Sequence, residues 1–346
     1  MTFAPVHTGR PDDSRVRVSG TLHWLTEWGV SFASLAGGLV TIFFFRRGLP
    51  GAAHLVGYLL LLWLLFALLV AIRQPLTDSG RRAGRFVVHA ADYTIQTLYH
   101  GLLLFVLPAY YASTTLLSVN VFFFLLLVAM ALLVTFDPWF RAIVAPRPWL
   151  GYAFFVVSIF AVLNVALPLV GVPPYIALLV SAFAAALAVT PVVRRASGRG
   201  WPAALRVTVA IGAVAAALVA VGRAWIPPAP LFMARSAIMW DVLDLDAVEA
   251  LPPVVSAAEV RQRGLVAYTA IYAPAGLRQR VNHVWRHGGR VVETVGLSPV
   301  QGGRREGYRT YSRKTSFPEA PEGRWSIDVM TASGQLIGRL RFRVVP

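Results

Sequence analysis

The sequence predicts a membrane-embedded bundle of about seven transmembrane helices followed by a small all-β sandwich. Of the 346 residues, 57% are hydrophobic and 14% are charged, and the mean hydropathy of +0.62 is high for a soluble protein of this length. Up to about residue 222 the apolar residues form long, nearly uncharged runs, whereas from Gly264 onward they alternate with polar residues. Long runs are typical of membrane helices, and alternation is typical of half-buried strands.

The helical region is predicted to cover residues 22–223, after a polar cytoplasmic tail at residues 1–21. The hydrocarbon core of a bilayer is about 30 Å thick, and a helix needs about 20 residues to cross it. Seven windows of this length are nearly free of charge. They are Leu22–Phe45, Ala53–Ile72, Phe86–Tyr111, Thr114–Thr135, Leu150–Val170, Pro174–Val193 and Pro202–Gly222.

The distribution of arginine predicts the orientation of these spans, because positively charged flanks stay in the cytoplasm. With a cytoplasmic N-terminus, thirteen arginines lie on the inner flanks, and three lie on the outer flanks, at Arg46, Arg47 and Arg223. The connections at residues 112–113 and 171–173 carry none. Seven spans then leave the C-terminal region outside, although the Arg46–Arg47 pair departs from the rule.

Residues 224–262 form a predicted linker. The proline-rich run Trp225–Pro230 ends the last helix. The segment Leu231–Val242 is predicted to form a short helix, which lies either on the membrane surface or against the soluble domain.

Residues 263–346 predict about six strands at roughly ten-residue spacing, as in a small antiparallel sandwich. Near the end of the chain, three apolar residues alternate with three arginines: Leu340, Phe342 and Val344 with Arg339, Arg341 and Arg343. Trp325, Ile327 and Val329 alternate in the same way with polar neighbours. Each apolar set is expected to face the core.

The β region also carries specific motifs. They are Gly264–Thr269, His283–Trp285, Gly302–Lys314, Phe317–Pro318, Gly323–Trp325 and Gly334–Gly338. Together these motifs closely resemble the C-terminal domain known as domain of unknown function 2914, over about residues 260–345. The resemblance implies an architecture and brings no established activity.

Two further resemblances concern compartment and fold. The helical part, around Phe105–Pro108 and Asp137–Pro138, looks like the polytopic region that precedes this domain in some proteobacterial inner-membrane proteins. Gly323–Val345 is similar to the closing hairpin of many extracytoplasmic immunoglobulin-like domains. Together they imply a multi-pass protein of the bacterial inner membrane whose immunoglobulin-like sandwich lies in the periplasm.

The first candidate site is an arginine- and tyrosine-rich segment of the β region. Guanidinium and hydroxyl groups suit phosphate and carboxylate, so the segment is a candidate contact for an anionic envelope lipid or glycan. Alternation divides it between two faces of one strand. The alternative is a solvated face whose charges pair with Glu293, Glu306, Glu319 or Asp328. The candidate residues are Arg304, Tyr308, Arg309, Tyr311, Arg313 and Lys314.

The second candidate site is a polar cluster within the helical region, where polar groups are costly to bury. One part is a stripe along one face of the third predicted span, and the other part lies on the first span. The cluster is either a proton or ion site, or a set of interhelical hydrogen bonds. Its residues are His23, Glu27, His89, Asp92, Gln96 and His100.

No catalytic residue, cofactor or metal is predicted. The chain has no cysteine, no phosphate loop, no nucleophile elbow and no zinc-protease motif. His283, Trp285 and His287 alternate along one predicted strand and are expected to share a face. The two histidines lie too far apart along that strand to bind one metal by themselves. The leading hypothesis is therefore a non-enzymatic membrane protein whose β domain binds membrane lipid, an anionic envelope component or a partner protein, and no nucleic acid. The alternative is a transporter or membrane-embedded transferase that uses the third-span stripe.

Overall fold

The computed structural model describes residues 82–242 and 250–346, together with Leu61, Trp63, Leu64, Ala67 and Leu68. The predicted span Leu22–Phe45, most of Ala53–Ile72, and the site residues His23 and Glu27 lie outside the described residues. The described chain consists of a helical N-terminal region followed by a β-rich C-terminal domain.

The helical region contains seven described α-helices, two of which are short. They are α1 (Arg82–Ser113), α2 (Val121–Thr135), α3 (Asp137–Trp139), α4 (Pro148–Leu169), α5 (Pro174–Leu187), α6 (Thr190–Ser197) and α7 (Trp201–Val221). A π-helical turn, Phe140–Val144, extends α3, and a 3₁₀ turn, Arg223–Trp225, follows α7.

The expectation of about seven membrane spans is not supported within the described residues. Three helical stretches there are long and apolar enough to cross a membrane: Pro148–Leu169, Pro174–Ser197 and Trp201–Val221. A fourth results if α2 and the segment Asp137–Val144, bent by 99° relative to it, count as one span. The predicted third span lies within α1, whose polar stripe lowers its hydropathy.

Buried aliphatic and aromatic side chains hold these helices together. Leu103, Val106 and Tyr110 of α1 pack with Phe155 and Val162 of α4 in one continuous core. The Tyr110 hydroxyl donates a hydrogen bond to the carbonyl of Ala161 at 3.1 Å. α1 and α4 are therefore joined by both apolar packing and a buried hydrogen bond.

The β-rich domain is a sandwich of two sheets with an additional two-stranded ribbon. One sheet has the order β1-β3-β8, the other has the order β2-β10-β9-β5-β6, and β4 pairs with β7. The strands are β1 (Phe232–Met239), β2 (Val254–Ser256), β3 (Leu265–Tyr272), β4 (Arg278–Gln279), β5 (Val281–His287), β6 (Arg290–Gly296), β7 (Val300–Gln301), β8 (Tyr308–Lys314), β9 (Gly323–Thr331) and β10 (Leu336–Val345). A short helix, α8 (Ala257–Arg263), connects β2 to β3.

The predicted helix at Leu231–Val242 is wrong. This segment contains β1, which pairs antiparallel with β3 from Phe232 opposite Tyr272 to Met239 opposite Val266. Ala237, Ile238 and Met239 are buried by this pairing. The partner strand lies some thirty residues later in the chain, so the local apolar pattern did not reveal it. The sandwich therefore begins at β1, within the predicted linker.

The predicted alternation along the last two long strands is confirmed. Trp325, Ile327 and Val329 of β9 are buried, as are Leu340, Phe342 and Val344 of β10. Trp285 of β5 packs edge-on against the Phe342 ring, with the ring centroids 6.4 Å apart. The core between the two sheets is thus built around large aromatic side chains.

The sandwich contacts one end of the helical region. The Arg223 guanidinium donates from Nε to the carbonyl of Ser333, in the β9–β10 turn, at 2.5 Å. The Asn120 amide donates to the carbonyl of Leu336 at 3.4 Å, and the Gln335 amide donates to the carbonyl of Ile226 at the same distance. The α1–α2 connection and the end of α7 therefore meet the same turn of the sandwich.

Candidate functional site

The predicted arginine- and tyrosine-rich segment forms β8 and the loop before it. β8 is an edge strand of the three-stranded sheet, and its burial alternates as expected. Thr310, Ser312 and Lys314 are buried, whereas Tyr311 and Arg313 are exposed. The six predicted site residues therefore do not form one binding surface.

Lys314 has a structural role. Its side chain is 8% exposed, and Nζ donates to Glu293 Oε2 at 2.6 Å. The same ammonium lies over the Phe317 ring, 5.6 Å from its centroid. A buried ammonium is tolerated when it is paired in this way, so Lys314 is removed from the candidate site.

Two of the outward arginines are also paired. Arg309 donates to Glu306 at 3.0 Å, and Arg313 donates to Asp241 at 3.3 Å. Such pairing with carboxylates was the alternative to anion binding in the sequence-based prediction. The structure shows it for Arg309 with Glu306 and for Lys314 with Glu293. Both arginine pairs are partly exposed, so they contribute little stability.

Arg304 and Arg305 remain as exposed cations in the loop Gly302–Gly307, which we call the basic loop. The Arg304 guanidinium lies over the Tyr308 ring, 5.1 Å from its centroid. Among the described residues, neither arginine forms a salt bridge. Their charges are therefore available for an anion.

The basic loop lies at the end of the sandwich that faces the helices. The Gly303 amide donates to the carbonyl of Ala273 at 3.0 Å, and a Cβ on Gly302 would lie 1.7 Å from the carbonyl oxygen of Pro274. The loop thus packs directly on the β3–β4 turn. The β3–β4 turn also approaches the α4–α5 connection, where a Cβ on Gly171 would lie 3.5 Å from the carbonyl oxygen of Gly276.

Apolar and aromatic side chains are exposed at the same end of the helices. Leu116 and Leu117, in the α1–α2 connection, are 62% and 71% exposed, and Trp225 is 53% exposed. Phe232 and Tyr272, at the adjoining ends of β1 and β3, stack with their centroids 4.7 Å apart. This end of the molecule therefore combines exposed apolar groups with the two cations of the basic loop.

The polar stripe of α1 binds the neighbouring helix at its break. Beyond Phe136 the chain turns by 99°, and the Gln96 amide donates to Val134 O at 3.1 Å and to Asp137 Oδ1 at 2.6 Å. His100 Nδ1 lies 3.0 Å from Thr135 Oγ1, and the Thr135 hydroxyl donates a hydrogen bond to the carbonyl of Ala131. These contacts agree with the interhelical alternative. Asp92 is partly buried on the same helix, and the His89 side chain is not among those described.

A buried hydrogen-bond network surrounds His283 in the sandwich core. His283 Nε2 lies 3.0 Å from Thr269 Oγ1, and Nδ1 lies 2.8 Å from Ser312 Oγ. Trp285 Nε1 donates to Ser312 Oγ at 3.1 Å. Burial lowers the pKa of the His283 imidazole to about 4. Ser312 and His283 are both buried, and the second nitrogen of His283 contacts Thr269 instead of a carboxylate. The pair therefore lacks the access and the third partner of a catalytic triad.

No metal-ligating cluster of histidine and carboxylate side chains occurs among the described residues. His287 lies on the same inward face as His283, as predicted, and stacks on Trp325 with centroids 4.5 Å apart. Its Nε2 lies 2.9 Å from the carbonyl of Glu322. Both histidines therefore have neighbours other than a metal.

Sequence reasoning missed a second group of arginines. The outer face of the five-stranded sheet, which we call the arginine face, carries five of them around one carboxylate, that of Asp328. The alternation of arginine along β10 was the available signal, but alternation by itself indicates only that these side chains point away from the core. The five are Arg286, Arg324, Arg339, Arg341 and Arg343.

Two family models match successive parts of the chain. Residues 278–344 match the family model described as a protein of unknown function, DUF2914, which confirms the resemblance found in the sequence over these residues but not over residues 260–277. Searches of curated proteins and of solved structures find no match. Residues 16–267 match a second family model, which thus covers most of the chain. The chain belongs to the family of unknown function DUF5924.

Proposed function

We propose that this chain is an integral protein of the bacterial inner membrane whose sandwich lies on the periplasmic face and binds anionic lipid headgroups through the basic loop. The observation that carries the proposal is the position of Arg304 and Arg305. Both are exposed at the end of the sandwich that contacts the helices.

The surface of α7 supports a lipid environment for the helices. Val214, Leu218 and Val221 are 59%, 67% and 83% exposed. The helix has 21 residues, which corresponds to about 30 Å and matches the hydrocarbon core of a bilayer. Trp201 and Trp225, both 53% exposed, flank this apolar surface as interfacial tryptophans do.

The distribution of charge supports the proposed orientation. The ends of the helices remote from the sandwich carry exposed arginines, at Arg141 and Arg147 and at Arg194, Arg195 and Arg199. The two connections that approach the sandwich, residues 114–120 and 170–173, carry no charged residue. Arginine-rich flanks are retained in the cytoplasm, so the sandwich end is expected to be periplasmic.

The chemistry of the basic loop supports a phosphate-bearing headgroup as ligand. Guanidinium groups form paired hydrogen bonds with phosphate oxygens, and each arginine near an anionic bilayer surface contributes about 1 kcal/mol. The neighbouring exposed side chains of Leu116, Leu117 and Trp225 suit the boundary between headgroups and acyl chains.

The experiment is a lipid titration of the full-length chain in detergent, followed by native mass spectrometry. The dissociation constants of the first bound phosphatidylglycerol and phosphatidylcholine are compared for the unchanged chain and the variant Arg304→Gln/Arg305→Gln. The matched control is Arg341→Gln/Arg343→Gln, which removes the same charge from exposed positions of the arginine face.

We expect Arg304→Gln/Arg305→Gln to weaken phosphatidylglycerol binding about thirtyfold and to leave phosphatidylcholine binding unchanged. The control variant should bind both lipids as the unchanged chain does. Equal phosphatidylglycerol binding by the unchanged chain and the basic-loop variant would reject the site. An equal loss of phosphatidylglycerol affinity in both variants would show that binding depends on net charge and not on the basic loop.

A further inference from the structure

The arginine face is an ordered two-dimensional array of charge. Pairing of β9 and β10 places Arg343 opposite Arg324, Arg341 opposite Ser326, and Arg339 opposite Asp328. On the next strand, Arg286 lies opposite Ser326. Successive arginines of β10 are about 6.7 Å apart along the strand, and neighbouring strands are about 4.8 Å apart.

Asp328 fixes two of these arginines. Its carboxylate, which is 3% exposed, accepts hydrogen bonds from Arg286 Nε at 2.9 Å and from Arg339 Nη2 at 2.9 Å, with a further bond from Arg339 Nε. Arg286 also donates from Nη1 to the carbonyl of Gly289 at 3.1 Å. Both side chains are therefore held in place before any ligand arrives, which lowers the entropic cost of binding.

The other three arginines carry uncompensated charge. Arg324, Arg341 and Arg343 are exposed, and none of them forms a salt bridge with a residue that the structure describes. Arg324 and Arg343 are direct cross-strand neighbours, and like charges in this relation destabilise a sheet. A bound anion would remove this repulsion, so the face is expected to favour an anionic partner.

The spacing and composition of the face point to the kind of partner. Side chains two residues apart on an extended peptide have the same separation as Arg339, Arg341 and Arg343. Within the described strands the face carries no aromatic side chain on which sugar rings or bases stack. Arginine pairs with carboxylate through two parallel hydrogen bonds.

We propose that the arginine face is a docking surface for an extended acidic segment of a partner protein, with carboxylates at alternate positions. It is separate from the basic loop. β10 starts at the turn that contacts Arg223 and runs away from the helices, so Arg341 and Arg343 lie about 17 and 24 Å along the strand from Leu336.

The test is fluorescence anisotropy with the full-length chain in nanodiscs of phosphatidylcholine. One labelled probe alternates glutamate and threonine, and its isomer of the same composition carries all glutamates in one block. Arg341→Gln/Arg343→Gln is the test variant, and Arg304→Gln/Arg305→Gln is its control with the same net charge. Polygalacturonate and oligothymidylate are titrated as probes of the other polyanion classes.

We expect the alternating peptide to bind about tenfold more tightly than its isomer. Arg341→Gln/Arg343→Gln should lose this preference, and the basic-loop variant should keep it. Equal binding of the two peptides would overturn the proposal, as would tighter binding of polygalacturonate or oligothymidylate to the same arginines. The nanodiscs contain only a neutral lipid, and the test variant of each experiment is the control variant of the other. A failure of peptide binding therefore does not decide whether the basic loop binds anionic lipid.

Discussion

At the scale of single residues, the sandwich core contains a buried histidine, His283, whose pKa is lowered by burial. The sequence predicted that His283, Trp285 and His287 share one face of a strand, and the structure agrees. It did not predict Thr269 and Ser312 as partners of His283, because these residues come from strands of the opposite sheet. A polar group that is fully buried needs such partners, and local alternation does not identify them.

The uncharged His283 predicts a loss of stability in acid. Its pKa is lowered to about 4 in the folded chain, against about 6.5 when unfolded. The unfolded chain therefore takes up a proton first as the pH falls, and stability present above about pH 6.5 is lost progressively down to about pH 4. We expect this histidine to lower the free energy of unfolding of the sandwich by about 2 kcal/mol between pH 7 and pH 5.

Hydrogen exchange of sandwich peptides in the full-length chain, corrected for intrinsic rates and followed in urea, measures this change. His283→Gln should lack this part of the pH dependence, and His287→Gln should retain it. The same pH slope in His283→Gln as in the unchanged chain would assign the acid sensitivity to other groups.

At the scale of elements, the apolar window predicted the end of α2 better than its beginning. The window Thr114–Thr135 yields α2, but its first residues form a connection in which Asn120 Oδ1 accepts from the Thr115 amide and the Ser118 hydroxyl. The end of α2 at Thr135 coincides with the end of the predicted window. The Gln96 amide of another helix binds groups on both sides of the break that follows, and local hydropathy does not identify this partner.

The break predicts a stabilising role for Gln96. Gln96→Leu removes one donor to the Val134 carbonyl and one donor to the Asp137 carboxylate, and losing the donor to a buried group costs about 1–3 kcal/mol. We expect a lower midpoint of thermal unfolding in detergent. Thr97→Val is the control, because the Thr97 hydroxyl is exposed and bonds within its own helix. An unchanged midpoint for Gln96→Leu would show that the break does not need this amide. A transporter role for the polar stripe of α1 stays a prediction.

At the scale of the whole molecule, one sandwich is built from two family regions. The DUF5924 match ends at residue 267, within β3, so β1 and β2 precede that boundary, whereas the DUF2914 match begins at residue 278. A chain cut at residue 278 would leave β8 without its neighbour β3. Composition and periodicity predicted a helical part and a β part, but not their junction. Asn120 and Leu336 are 216 residues apart in sequence, and such a contact leaves no local signal.

The proposed function requires the sandwich to lie in the periplasm, and two fusions measure its compartment directly. Alkaline phosphatase and green fluorescent protein are fused separately after Pro346, and the phosphatase activity and fluorescence of the two fusions are compared at equal expression. We predict active phosphatase and no fluorescence, because the sandwich packs on the helix ends opposite the exposed arginines Arg141, Arg147, Arg194, Arg195 and Arg199. Fluorescence without phosphatase activity would place the sandwich in the cytoplasm and contradict the proposed periplasmic orientation.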